Sequence, residues 1–236
     1  MHIETIKFKS DHLTLIGDLH VPDSDHAPLI IGMHGLFSSR LSEKQIELGQ
    51  ACTQKGMAFF RFDHRGCGQS EGEFKSVTTI HNRLTDLYAA IDMLQKKGMM
   101  NQSFGLFGSS LGGCLALCYA LQNPIDAVVT LSAPVTMNTI WEVLENSGQA
   151  ELLSKSFYQE CVHINVTDRL NSLHHILIAH GTCDEVVPYA NAEIIYQNAQ
   201  LPKKLIQLKG GGHRLTQPEH QTLFVQETLN WFETYL

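Results

Sequence analysis

A serine hydroxyl is a weak nucleophile at neutral pH until a base takes its proton and a third group orients that base. The pentapeptide Gly108-Ser109-Ser110-Leu111-Gly112 offers such a serine. It follows the apolar Phe104-Gly105-Leu106-Phe107 and precedes the helix-like Gly113–Ala120, so Ser110 falls on an expected strand-to-helix turn. A G-x-S-x-G turn of that kind pushes its hydroxyl out of the sheet, and small flanking residues let helix and strand approach. Glycine and serine are common, so the pattern acquires meaning only if partners stand downstream.

On an α/β sheet the acid and the histidine follow the serine in chain order. His213 ends the run Gly210-Gly211-Gly212, directly after the last expected strand, where a flexible turn can present an imidazole. Its nearest rival, His220, falls inside the expected terminal helix. Asp184 stands in Ile178-Ala179-His180-Gly181-Thr182-Cys183-Asp184, just past a strand end and a turn, where an orienting acid is needed. Glu185 competes and Asp168 is a remoter candidate, but the spacing after His180-Gly181 favours Asp184. A tetrahedral oxyanion also needs two backbone donors. Leu111, after the nucleophile, is one; Leu36, in the loop Met33–Ser39, is the other. His34 is expected to brace that loop, and Asp63 and Arg65 to tie down the loop after Met57–Phe62.

Other constellations fall short. Gly66-Cys67-Gly68 lacks both a third glycine at dinucleotide spacing and a Gly-Lys-Ser/Thr, which excludes a nucleotide loop. Asp18 and His20 share a strand face, but no third ligand completes a metal site, and a solvated face is expected there. No metal or cofactor is expected.

These residues need elements to hold them. Ile3–Phe8 and Leu13–His20 alternate, which predicts an N-terminal hairpin. Leu29–Met33, Met57–Phe62, Phe104–Phe107, Ala127–Leu131, Ile176–Ala179 and Leu205–Leu208 read as strands. Helices are expected from Ser42, with Gln45 completing a capping box, and over the stripe Ile80, Leu84, Leu87, Tyr88, Ile91 and Leu94. More follow Ser110, run over Tyr189–Asn198, and open at Thr216-Gln217-Pro218-Glu219, a second capping box. Alternating strands and helices predict an α/β fold with a mostly parallel sheet covered on both faces. Between Pro134 and Ser172 about 39 residues interrupt the rhythm, with a helical stretch at Thr139–Leu144 and a strand-like Cys161–Val166. Crossovers are normally shorter, so residues 134–172 are expected to form a cap or lid within a single domain, 1–236.

Composition narrows the class. With 236 residues the chain can bury a core without staples. Its net charge of −7 gives no footprint for nucleic acid or an anionic membrane. No apolar run reaches about 18 residues and Met1-His2-Ile3-Glu4 does not open a secretory signal, so neither membrane nor export is expected. The six cysteines include no C-x-x-C pair and read as free thiols, which fits a cytoplasmic location.

Taken in order, His34-Gly35, Asp63-x-Arg65-Gly66-x-Gly68-x-Ser70, the Ser110 turn, His180-Gly181-x-x-Asp184-x-x-Val187-Pro188 and Gly212-His213 resemble the α/β-hydrolase superfamily over nearly the whole chain. The chain is most similar to small bacterial esterases related to feruloyl (cinnamoyl) esterases and monoacylglycerol lipases, often grouped with serine aminopeptidases. The resemblance implies an eight-stranded sheet and a cap after strand six. It also implies catalysis by Ser110, Asp184 and His213, with Leu36 and Leu111 as the oxyanion hole. The expected activity is cleavage of carboxylic esters of small to medium acyl or aromatic acids. A thioesterase, an aminopeptidase-like hydrolase or a non-catalytic small-molecule receptor would keep the same residues. The expected partner is a small ester; oligomeric state is open, a homodimer included. The cap is shorter than in feruloyl esterases. Trp141, Phe157 and Tyr158 are read either as pocket lining or as the cap's own core.

Overall fold

The structure, a computed structural model, describes residues 2–24, 26–100 and 103–236. The alternating N-terminal run pairs as an antiparallel hairpin of β1 (His2–Ser10) and β2 (Leu13–Val21). The continuous apolar runs become β3 (Leu29–Met33), β4 (Ala58–Phe62), β5 (Phe104–Ser109), β6 (Ala127–Leu131) and β7 (Ile176–Gly181). Such runs suit strands buried on both faces. The edge strand β8 (Lys203–Leu208) instead mixes buried and exposed positions. All eight form one sheet in the order β1-β2-β4-β3-β5-β6-β7-β8, antiparallel from β1 to β4 and parallel beyond.

Helices α1 (Glu43–Gln54) and α8 (Pro218–Tyr235) cover one face, where Leu48, Phe224 and Phe232 meet Phe59, Phe107 and Val129. Helices α3 (Ile80–Lys96), α4 (Leu111–Ala120) and α7 (Ala190–Asn198) cover the other, where Leu87, Leu115 and Ala192 join the cluster of Phe60, Leu106 and Val128. Neighbours such as Phe59 and Phe60 thus feed opposite layers, as the two-residue period of a strand requires. A short α2 (Phe74–Val77) precedes α3. Loops after β3, β5, β7 and β8 all leave the same carboxyl edge, where ligands of open α/β sheets bind.

Residues 134–172 lie between β6 and β7 and hold α5 (Asn138–Asn146), α6 (Lys155–Cys161) and two short 3-10 turns. Ile140, Leu144, Phe157 and Leu170 are buried in the same cluster as α4, so the insert is packed onto the sheet layer. The strand expected at Cys161–Val166 does not form. Cys161 ends α6, and the segment contributes only an isolated bridge between Thr136 and Asn165. A short apolar run with no sheet neighbour is free to finish a helix instead.

Neither expected capping box closes. Ser42 precedes α1, but its side chain caps nothing, and the Gln45 amide is buried over Gly32, where a missing Cβ leaves room for it. In α8 the cap position is Gln217, not Thr216, with Pro218 in the first turn. Tyr88 is exposed, and the buried face of α3 carries Arg83 and Asp86 instead. Asp18 and His20 are buried rather than solvated. Arg40 bonds the Asp18 carboxylate at 3.0 Å, and Arg61 donates to His20 Nε2 at 2.9 Å.

Candidate active site

Ser110 lies between β5 and α4, at the cap position of α4, with φ 56° and ψ −123°, a conformation a non-glycine residue adopts only under constraint. The constraint is close packing. A Cβ on Gly108 would collide with the Gly112 carbonyl, and one on Gly112 with the Met33 carbonyl, so both glycines permit the turn. Ser110 N–H donates to the Leu131 carbonyl at 2.8 Å, pinning the turn to β6.

His213 Nε2 stands 3.0 Å from Ser110 Oγ. Its Nδ1 lies 2.9 Å and 3.0 Å from the two carboxylate oxygens of Asp184. Asp184 Oδ1 also accepts the N–H groups of Val186 at 2.9 Å and Val187 at 2.8 Å. His180 Nε2, 2.8 Å from the Val187 carbonyl, can only donate there, and it lies 3.3 Å from Asp184 Oδ2. Burial opposes ionisation of Asp184, but the hydrogen bonds from His180, His213 and Val187 outweigh it and hold the carboxyl far below the usual carboxylate range. An ionised Asp184 only accepts, so Nδ1 of His213 carries the ring proton and Nε2 is left to accept from Ser110.

The rival residues sit elsewhere. The Glu185 carboxylate does not reach the His213 ring but accepts its backbone N–H at 3.0 Å. Asp168 is exposed in the insert, and His220 is tied to Gln217 at 3.1 Å in the first turn of α8.

The Gly35–Leu36 loop runs beside Ser110. A Cβ on Gly35 would lie 3.3 Å from Ser110 Cβ, so the loop backbone abuts the serine. His34 braces it as expected. Its Nε2 accepts the His64 backbone N–H at 3.2 Å, which requires a neutral ring, and Nδ1 donates to the Gly35 carbonyl at 2.7 Å. Burial pushes His34 well below its ordinary value, aided by His64 and Arg83. Leu111 opens α4, so its N–H has no acceptor within the helix. Asp63 bonds the Arg40 backbone at 2.7 Å and the Gln69 backbone at 2.9 Å, and Arg65 bonds Asp86 at 2.8 Å, so both tie down their loop.

The structure separates the three aromatic candidates. Phe157 is fully buried in the core. Trp141 and Tyr158 pack at 4.7 Å between ring centroids beside a cleft of about 460 Å³ that also takes in Leu153 and Lys155. A larger cleft, about 580 Å³, lies by Phe37, Cys67, Phe74 and Leu152, next to the Gly35–Leu36 loop. Sequence reading missed it, because its wall is assembled from four separate segments. It also missed Arg83, fully buried and 2.8 Å from the Leu36 carbonyl.

Residues 24–172 match the family model described as serine aminopeptidase, S33. The chain belongs to this family of α/β-hydrolases. The matched stretch contains Leu36, Ser110 and Leu111, while Asp184 and His213 lie beyond it. Among relatives, the chain is 31% identical over 165 residues to the uncharacterized protein YfhR of Escherichia coli O157:H7; the alignment takes in 68% of this chain and 54% of YfhR. It is 29% identical over 188 residues to the mitochondrial palmitoyl-protein thioesterase ABHD10 of Rattus norvegicus, with 69% and 60% covered. The chain therefore spans little more than half the length of these relatives. Est1E of Butyrivibrio proteoclasticus, solved with ferulic acid bound, superposes with a TM-score of 0.83 at 22% identity, covering 98% of each chain. That likeness is one of fold. Among the described residues, no helix of the chain is long and apolar enough to cross a membrane.

Proposed function

We propose that the chain is a serine hydrolase that cleaves carboxylic esters through an acyl-enzyme. One observation carries this reading: His213 bridges Ser110 Oγ at 3.0 Å and Asp184 at 2.9 Å with opposite ring nitrogens. Ser110 Oγ attacks the ester carbonyl carbon, the carbonyl π pair moves to oxygen, and the Oγ proton passes to His213 Nε2. The N–H groups of Leu36 and Leu111 receive the oxyanion. Its collapse breaks the bond to the alcohol oxygen, which leaves with the proton from Nε2. Water then gives a proton to Nε2 and attacks the acyl carbon, and the second collapse returns that proton to Ser110 as the acid leaves. The insert 134–172 serves as a cap that selects the acyl or alcohol group. Six free thiols suit a reducing compartment such as the cytoplasm.

The test is Ser110→Ala assayed on p-nitrophenyl acetate and butyrate. Turnover should fall by about 10⁴–10⁶-fold; wild-type turnover in the purified variant rejects the assignment. The thioesterase name of ABHD10 favours a second reading with the same residues. Comparing p-nitrophenyl butyrate with an S-butyryl thioester decides between them by kcat/KM.

A further inference from the structure

Arg83 is an odd residue to find inside α3. It is fully buried on a face shared with Asp86 and the apolar Ile80, Leu87, Ala90 and Leu94. Among the described residues no carboxylate forms an ion pair with it: Asp86, the nearby acid, is taken by Arg65, Ser10 and His64. Its Nε has no partner at all. A buried guanidinium without an ion-pair partner is costly, and it stays charged because its proton is held so tightly. Its remaining nitrogens are all spent on one region. Nη2 donates to the Leu36 carbonyl at 2.8 Å and to Cys67 Sγ at 3.3 Å, and Nη1 donates to the Gly35 carbonyl at 3.3 Å.

The consequence follows from the planar trans peptide. The Gly35 carbonyl and the Leu36 N–H belong to one plane and point in opposite directions. Arg83 and His34 hold the carbonyl end on one side, so the N–H end faces away from them. The backbone at Gly35 already abuts Ser110 on its other flank. A fork of two donors on two successive carbonyls also fixes the loop's rotation, which a single point charge would not. We propose that Arg83 is the positioning residue of the oxyanion hole: it orients the Leu36 N–H toward the tetrahedral intermediate and polarises that peptide from behind. The assignment rests on the acyl-transfer reading above.

The test uses Arg83→Met, which keeps bulk and removes charge, and Arg83→Lys, which keeps charge and removes the fork. Each is assayed on p-nitrophenyl butyrate and titrated with a trifluoromethyl ketone, whose serine adduct places an oxyanion in the hole, and with the matching trifluoromethyl alcohol, which is neutral and forms no adduct. For Arg83→Met, kcat should fall about 10²–10³-fold with KM within about threefold, and ketone affinity should fall in step while alcohol affinity holds. Arg83→Lys should recover part of the loss in both kcat and ketone affinity. If Arg83→Met does not fold, Arg83→Lys decides alone, with at least a tenfold loss of ketone affinity expected. Wild-type ketone affinity in a folded variant overturns the proposal, as does a loss spread equally over ketone and alcohol. Failure of the acyl-transfer reading looks different: Ser110→Ala would keep turnover, and wild-type protein would not take up a fluorophosphonate label.

Discussion

The two walls that flank Ser110 are held by opposite charges. On the histidine side, Asp184 grips the His213 ring and Glu185 grips its backbone N–H, so the wall is anchored by carboxylates. On the oxyanion side, the Gly35–Leu36 loop is gripped by the buried guanidinium of Arg83 and by a neutral His34. The acyl transfer proposed above would separate charge in the same sense, with a positive imidazolium growing at one wall and a negative oxygen at the other. Each wall therefore carries behind it the charge opposite to the one that develops in front. A pre-set field of this kind costs no reorganisation when the reaction occurs, which is how fixed dipoles and charges accelerate such steps.

The strongest way to break this comparison is at the anionic wall. Asp184→Asn keeps shape but removes the charge facing the imidazolium, and its amide can turn a donor toward Nδ1 and favour the wrong tautomer. We expect kcat/KM on p-nitrophenyl butyrate to fall about 10³–10⁴-fold, more than for either Arg83 variant. A loss below tenfold would mean that the two walls are not matched halves of one device.

Much of this site was legible in the residues. Ser110 and Asp184 follow strands that announce themselves by apolar runs, His213 follows the mixed edge strand and its glycine run, and the fold's chain order does the rest. The proposal for Leu36 came from position alone, because a backbone donor does not depend on its side chain. Arg83 was not legible, because a charge on an apolar stripe reads as a break in the stripe. Yet its register was informative: Arg83 and Asp86 fall on the same helical face as Ile80, Leu87, Ala90 and Leu94. A helix with one buried face has nowhere else to put them. The failures at Gln45 and Cys161–Val166 share a cause. Local patterns name a cap or a strand, but neighbours such as the bare backbone of Gly32 decide where the side chain goes.

The cationic wall has its own sensitivity, to acid. Burial lowers His64 to about 4 against the opposing pull of Asp86, and burial with Arg61 lowers His20 to about 4. His34 is lowered in the same direction. Between about pH 6.5 and pH 4 the unfolded chain binds protons that these folded rings refuse, so stability falls as pH drops through that window. Below it the histidine contribution levels off, while the carboxylates Asp184 and Asp86, both depressed, lose theirs as pH falls further. Urea midpoints at pH 7.5 and 5.0 should differ by an amount corresponding to about 2 kcal/mol for His64 alone. A flat profile across this range would show that these buried rings protonate freely.

Glu185 offers a finer probe of the anionic wall, because it touches backbone rather than the ring. Being exposed to solvent, it is screened by water, so its hydrogen bond to the His213 N–H matters more than its charge. Glu185→Gln keeps an acceptor oxygen and should leave kcat within about twofold, while Glu185→Ala should lower it about three- to tenfold. Equal losses in both would shift the emphasis from loop geometry to field.

The smallest effect should come from outside both walls. Trp141 in the insert pairs with Tyr158 beside its own cleft and makes no hydrogen bond to the loops that hold Ser110 or His213. An acetyl group needs only the nucleophile, the base and the two N–H donors, so Trp141→Ala should leave p-nitrophenyl acetate turnover within about twofold. A longer acyl chain would gain from apolar contact at about 25 cal/mol per Å² of surface it buries. If the insert caps the site, octanoate should therefore lose about three- to tenfold in kcat/KM where acetate does not. An equal loss on both esters would mean that the insert supports the walls themselves, and the division between a charge-matched centre and a selecting cover would have to be redrawn.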